Sequence, residues 1–250
     1  MKKALGALRR ADQDFHMIEG GDHLAVGVSG GKDSLLLLYA LALYRRFSPH
    51  PFRLSAVTVA LGLEGEDFDG IAALCGDLDV PYRVEETRIG QIVFGERREK
   101  NPCALCAKMR RGALVNAARA LGANKVALGH HRDDALETLL LSALYEGRMH
   151  TFHPATRFED TGVTQIRPLV YLGEGHIARL ARELDLPVRK SPCPANGNTK
   201  REETAELLRA LCRRRPDARE RLLAALMNDG QYGLWEKSGA GRREGGDEDV

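Results

Sequence analysis

Val28-Ser29-Gly30-Gly31-Lys32-Asp33-Ser34 gathers the residue types that hold a polyphosphate. An apolar run, Leu24 to Val28, precedes it and a leucine-rich stretch, Ser34 to Phe47, follows, which predicts strand, loop, helix. Amides at a helix start, with the room left by Gly30 and Gly31, form a phosphate cradle. Lys32 adds positive charge, and Ser29 and Ser34 add hydroxyl donors. Two commoner loops are excluded. A Walker A loop needs glycine where Val26 stands and Ser or Thr where Asp33 stands. The dinucleotide pattern G-x-G-x-x-G does not fit either.

A second kind of chemistry lies in the five cysteines, Cys75, Cys103, Cys106, Cys193 and Cys212. Cys103-Ala104-Leu105-Cys106 is a C-x-x-C pair at the start of a predicted helix. Residues three apart share a helical face, so both sulfurs can reach one metal. The helix start and Lys108, Arg110 and Arg111 favour thiolates. The spacing leaves redox work, zinc and an iron–sulfur cluster open. Cys193 lies between Pro192 and Pro194, which hold it extended and stop any helix there. Cys75, among Ala72, Ala73, Leu74 and Leu78, reads as a buried structural thiol, and Cys212 is read the same way. Three cysteines leave a tetrahedral set incomplete: zinc in a structural site wants a fourth ligand, whereas a [4Fe–4S] cluster keeps one iron open.

These residues need a frame. Strands are predicted at Leu24–Val28, Leu54–Val59, Tyr82–Glu85, Lys125–Leu128 and around Gln165-Ile166. Helices are predicted at Ser34–Phe47, Phe68–Leu78, Cys103–Leu121, Asp133–Tyr145, Gly175–Leu184, Thr204–Leu211 and Ala218–Met227. Repeated strand–helix alternation implies an α/β fold, a doubly wound parallel sheet with helices on both faces and a helical C-terminal extension. Such sheets bind ligands at the carboxyl ends of their strands, near the switch point. The division expected is an N-terminal segment at 1–23, an α/β domain carrying the phosphate loop at 24–190, a helical extension carrying Cys193 at 191–228, and a disordered tail at 229–250.

The chain has 250 residues, 43% hydrophobic and 29% charged, enough for one large domain with a real core. A net charge of +2 does not by itself point to nucleic acid. The basic residues are uneven, however. Lys100 to Met149 holds eight Lys and Arg against four Asp and Glu, and His176 to Arg221 holds twelve against seven. Both stretches contain or border the cysteine strings and offer a surface for phosphates. Trp235 gives no stacking platform. With no apolar run of membrane-spanning length and no leader, the chain is expected in the cytoplasm, without a membrane.

Ser29-Gly30-Gly31-Lys32-Asp33-Ser34 resembles the signature of the PP-loop ATP pyrophosphatases (adenine nucleotide α-hydrolase-like). Further strings follow in order: Pro102-Cys103-Ala104-Leu105-Cys106 with Arg110-Arg111-Gly112, then Leu128-Gly129-His130-His131-Arg132-Asp133-Asp134, Ile166-Arg167-Pro168-Leu169, and Pro192-Cys193. Together they are similar to the tRNA 2-thiocytidine synthetases, over roughly Leu24 to Leu226. The chain departs from that family after Cys193, where Pro194-Ala195-Asn196-Gly197 stands in place of a second nearby cysteine. It also lacks the further C-x-x-C pairs of a branch that thiolates uridine with flanking zinc fingers.

The resemblance implies an ATP-dependent tRNA sulfurtransferase. ATP, cleaved between its α and β phosphates, would adenylate the C2 carbonyl of a pyrimidine, with cytidine 32 the family's usual target. Sulfur delivered through a [4Fe–4S] cluster on Cys103, Cys106 and Cys193 would replace the oxygen. Ser29, Gly30, Gly31, Lys32, Asp33 and Ser34 would hold the phosphates, and Val59, Gly129 and His130 would flank the adenosine. A carboxylate beside phosphates is repelled unless a cation intervenes, so Asp33 and Asp133 read as Mg²⁺-side residues, catalytic together with Lys32. Of the string that opens the next helix, Asp134 fits a helix cap and the His pair a nucleotide contact. Expected partners are tRNA, a sulfur donor (a cysteine desulfurase or free sulfide) and a second copy in a homodimer. Two other functions fit the same loop: a lysidine-forming tRNA ligase, which needs no cluster, and a non-catalytic ATP-binding iron–sulfur redox protein.

Overall fold

Leu24, Ala25 and Val26 are all buried, a continuous apolar run rather than an alternating one. A strand of that kind must be covered on both faces. The computed structural model describes residues 1–96, 102–189, 192–193 and 200–228. This strand, β1 (His23–Gly27), lies between β2 (Arg53–Ala60) and β4 (Lys125–Ala127), parallel to both. With β3 (Tyr82–Glu86), β5 (Ala155–Phe158) and β6 (Val163–Ile166), the sheet order is β3-β2-β1-β4-β6-β5. Leu24 and Val26 point into one core, shared with α1 (Lys2–Phe15), α2 (Lys32–Tyr44), α3 (Asp69–Asp77) and α6 (Glu174–Glu183). Ala25 points into the other, under α4 (Pro102–Ala120). The remaining helices are α5 (Arg132–Leu141), α7 (Lys200–Arg214) and α8 (Ala218–Leu226). The order of the strands reverses between β1 and β4, so a crevice opens at their carboxyl ends.

Three features differ from the sequence reading. Residues 1–23, set apart there, carry α1 and pack into the main core: Ala4, Leu8 and Ala11 are fully buried. Buried Asp12 fastens this helix by accepting the Ile18 amide and the Tyr44 hydroxyl, each at 2.8 Å. The sheet is also not wholly parallel, because β5 runs antiparallel to β6 at one edge. A half-exposed edge strand carries little apolar signal. Last, the helix expected over Asp133–Tyr145 leaves α-helical geometry after Leu141 and widens into a π-helical turn over Ser142–Glu146. The tail from 229, Trp235 and the stretch 194–197 lie outside the described residues. Among the described residues, no helix is long and apolar enough to cross a membrane.

Lys125 joins the N-terminal segment to the sheet. Its buried ammonium lies 2.9 Å from the Met17 carbonyl and 2.8 Å from the Asp22 carboxylate. Burial works against the ionised Asp22, but Lys125, the Glu19 amide and Asn124 outweigh it and hold its carboxyl below the usual range. Removing one partner strands the other charge. Lys125→Ala is expected to cost roughly 3 kcal/mol in urea unfolding. A loss within error of zero would show that the segment is anchored elsewhere.

Candidate active site

The phosphate loop sits where β1 meets α2. Gly30 has φ +80°, in the left-handed region, which suits glycine. No side chain caps α2, so its first amides stay available to a ligand. Ser34 is a brace of the loop. Its Oγ accepts the Ser29 amide at 3.1 Å and donates to the Gly31 carbonyl at 3.0 Å, with Ser29 Oγ at 3.2 Å. Lys32 Nζ is shared between two carboxylates, Asp33 and Glu174, each at 3.1 Å. Burial opposes its charge, but these two acids raise its pKa above the ordinary lysine value. Phosphate oxygens entering the loop would replace them as partners of the ammonium. Asp33 Oδ1 is buried with no hydrogen-bond partner, a vacant acceptor suited to a cation held with the phosphates.

The loop after β4 closes on the first. A Cβ on Gly129 would stand 2.9 Å from the backbone of Asp33 and of Ser34, so only glycine permits this approach. His130 packs on Phe152, ring centroids 5.1 Å apart, and its Nδ1 accepts Arg167 Nε at 3.3 Å. Burial, then the Arg167 charge, pushes its pKa down to about 4. The ring is therefore neutral near pH 7, and with Nδ1 accepting, the proton sits on Nε2. His131 caps α5 in a box with Asp134: Nδ1 accepts the Asp134 amide at 3.3 Å, and the Asp134 carboxylate accepts the His131 amide at 2.9 Å. Its Nε2 stands 3.6 Å from Asp33 Oδ1. Of the His pair, His131 is thus committed to capping.

Asp133 is bound on both oxygens. One accepts the Glu174 amide at 2.8 Å and the other meets Arg219 at 2.5 Å. Burial works against its ionisation, but the Glu174 amide, Arg132 and Arg219 keep its carboxyl low. It ties α5 to α6 and α8, and Asp33 is the carboxylate that faces the loop. Val59 is half-buried near the carboxyl end of β2, packed between two hydrophobic clusters.

Glu174, Arg189, Arg219 and Glu137 escaped the sequence reading. Arg189 donates its amide to the Gly30 carbonyl at 2.9 Å and pairs with Asp67 at 2.6 Å. Glu137, one turn beyond Asp133 and Asp134, is pushed up to about 7 by burial and then by Asp134, with Arg201 opposing and Glu174 and Asp133 adding to it. Only Glu174, an acid just after Gly173 at a helix start, left a sequence signal.

Of the thiols, Cys106 lies at the same edge of the sheet. Cys106 is buried against Leu61, Ile89 and Val93, and Leu61 directly follows β2. Burial raises the Cys106 thiol pKa; Arg110 opposes this, and Cys193 and Cys103 reinforce it, so the three sulfurs are in electrostatic reach. Cys103 is exposed and Cys193 half-buried. Cys193 comes four positions after Arg189, a reach of at most about 14 Å from a residue bonded to the phosphate loop. Among the described residues, no three metal-binding side chains close into a set that could hold an ion. The donor chemistry of Cys103, Cys106 and Cys193 fits a thiolate-held centre. Cys75, buried with its pKa pushed up to about 11, is an inert core thiol.

The two loops and their sheet place the chain in a known class: a family model of the PP-loop domain matches residues 7–209. The chain is 40% identical over 230 residues to the tRNA-cytidine(32) 2-sulfurtransferase of Geobacter metallireducens, covering 91% of this chain and 90% of that one. It is 39% identical over 229 residues to the enzyme of the same name from Anaeromyxobacter dehalogenans (strain 2CP-C), covering 90% and 78%. The chain belongs to the tRNA-cytidine(32) 2-sulfurtransferase family of PP-loop enzymes. It shares its fold with the U34-tRNA thiolase NcsA of Methanococcus maripaludis, solved with a [4Fe–4S] cluster: TM-score 0.73, 24% identity, 93% of this chain and 80% of that one.

Two outcomes follow from this geometry. Gly129→Ala forces the backbones of the two loops apart, so ATP affinity by calorimetry should fall by roughly tenfold or more, with a smaller loss of about 1–3 kcal/mol in stability. Unchanged ATP affinity would separate Gly129 from the nucleotide site. Glu137 is held protonated in the folded state well above the pH at which it ionises in the unfolded chain. Its contribution to stability is therefore lost as pH rises through about 7. Glu137→Gln should melt at a higher temperature than the parent at pH 8, with the gap narrowing toward pH 5. A gap that does not change with pH would contradict this.

Proposed function

We propose that the protein replaces O2 of cytidine 32 in tRNA by sulfur, converting ATP to AMP and pyrophosphate. One observation carries the reading: the phosphate loop and the buried Cys106, whose thiol feels Cys103 and Cys193 electrostatically, both lie toward the carboxyl edge of one sheet. The relatives' names supply the substrate.

The amides of Gly30 to Ser34 and the Lys32 ammonium hold the triphosphate. Asp33, with one oxygen unengaged, accepts Mg²⁺ beside it. Val59 and Gly129 flank the adenosine. O2 of the pyrimidine attacks the α phosphorus, the bond to the β-phosphate oxygen breaks, and pyrophosphate leaves. Charge builds on the phosphates as it does so, and Lys32 and the amides already face it. Neutral His130 offers Nε2–H as a donor to nucleotide or base and is not ionised at working pH. Asp133 positions the start of α6, and with it Glu174 opposite Lys32. A sulfur nucleophile then adds to C2, and AMP departs with the original oxygen. Cys103, Cys106 and Cys193 are the thiolates that would hold a [4Fe–4S] cluster, which when bound supplies an iron not committed to protein, suited to carrying sulfide. The sulfur comes from free sulfide or a cysteine desulfurase, and the enzyme works in the cytoplasm.

The test uses anaerobically purified protein with tRNA, ATP, Mg²⁺ and sulfide. Digestion and mass spectrometry should show 2-thiocytidine at position 32, with one AMP per sulfur. Lys32→Ala should lower the rate roughly a hundredfold or more. Cys193→Ala should abolish thiolation while its unfolding transition stays intact. Full activity in Cys193→Ala would remove that residue from the mechanism. AMP formed with tRNA but no sulfur incorporated would favour a ligase.

A further inference from the structure

We propose that the exposed face of α1, with the turn after α2, forms a second tRNA contact that grips the phosphodiester backbone far from the reacting base. The inference rests on the proposed function, since it takes tRNA as the substrate.

The helix spends its apolar stripe inward through Ala4, Leu8 and Ala11. Lys2, Gly6, Arg9 and Gln13 follow one another along the opposite face at helical spacing, all exposed, with Lys3 and Arg10 beside them. Together with Leu5 and Phe47, residues of this face line an open groove of about 540 Å³. Lys2, Lys3 and Arg9 have no carboxylate partner among the described residues, whereas Arg10 pairs with Asp14 at 3.3 Å and lies 4.6 Å from the centre of the Tyr171 ring. Lys2 to Arg9 spans about 10 Å of helix, a row of positive charge along the groove.

Two details fit a phosphate backbone. A Cβ on Gly6 would meet nothing within 4 Å, so no packing contact requires the glycine, although glycine weakens a helix relative to alanine. Its absent side chain opens the floor of the groove between the flanking cations. Phe47, 53% exposed, is held edge-on against Tyr44 with ring centroids 5.4 Å apart and planes at 88°. It presents a fixed ring to a ribose or base. Exposed Arg46 stands next to it.

Other occupants fit less well. The buried apolar stripe leaves α1 nothing to insert into a bilayer. A second copy docking symmetrically would bring this positive face against itself. The partner is therefore a polyanion. The groove lies beyond the far end of α2, thirteen residues and about 20 Å from Lys32, so it acts on affinity and not on the chemical step.

The experiment measures binding of full-length tRNA across a salt series for the wild type, K2E/K3E/R9E, F47A and the charge-neutral, groove-filling G6L. The triple variant should bind about tenfold or more weakly, with a salt slope shallower by about one for each phosphate it no longer neutralises. G6L and F47A should also bind less tightly, by several-fold. All should keep ATP affinity, a cooperative melting transition (shifted upward in G6L, which removes a helix glycine) and kcat at saturating tRNA, with KM for tRNA raised. Wild-type affinity in G6L and F47A overturns the groove even if the charge reversal weakens binding, because reversing three charges weakens any RNA site. So does a drop in affinity that tracks a change in oligomeric state, or binding of anionic vesicles in place of tRNA. If the wild type binds no tRNA, the proposed function itself fails.

Discussion

The backbone of the loop after β4 touches the backbone of the loop after β1. That contact, between Gly129 and Asp33–Ser34, is the constraint on which the site depends. It lies at the switch point of the sheet, where neighbouring parallel strands send their connections to opposite sides. Bringing the loops so close sets His131 within 3.6 Å of Asp33 and starts α5 beside the phosphate loop. The helices α6 and α8 are tied to it in turn. Asp133, in the first turn of α5, catches the start of α6 and an arginine of α8. The start of α6 in turn brings Glu174 to Lys32.

The electrostatics follow the same plan. Carboxylates gather around the loop: Asp33, Asp133, Asp134, Glu137 and Glu174. Asp133, with amide and cationic partners, is held ionised. Glu137, without enough of them, takes up a proton near neutrality. Lys32, paired with two acids, is the group at the loop whose partners a triphosphate can replace. The thiols are connected to this arrangement through Arg189, which bonds the Gly30 carbonyl a few residues before Cys193. Cys193 thereby follows within four positions a residue bonded to the phosphate loop.

What was legible in the sequence was what lies contiguous in it. Gly30, Gly31, Lys32 and Asp33 form a single string, and Cys103 and Cys106 stand one helical turn apart, so type and spacing single them out as candidates. Arg219 and Arg189 reach the site across the fold and leave no local pattern, and Glu174 leaves only the mark of an acid at a helix start. Asp133 was read as a metal-side acid because a carboxylate beside phosphates needs a cation between them, while only the fold shows both its oxygens already engaged. The parallel strands β1, β2 and β4 were readable as apolar runs. The edge strand β5 was not, because its half-exposed residues alternate weakly. Helix α1 was overlooked because its buried stripe includes the small residues Ala4 and Ala11, which resemble surface composition until Leu8 is placed between them. The family strings gave the cysteines a shared purpose that spacing alone left open.

The most direct test of the chemistry follows one oxygen atom. A tRNA, or its anticodon stem-loop, is prepared with oxygen-18 at C2 of cytidine 32 and turned over with ATP, Mg²⁺ and sulfide. Attack of O2 on the α phosphorus predicts that the label leaves in AMP, one atom for each sulfur incorporated. Label found in water or pyrophosphate, with AMP unlabelled, would contradict adenylation of the base.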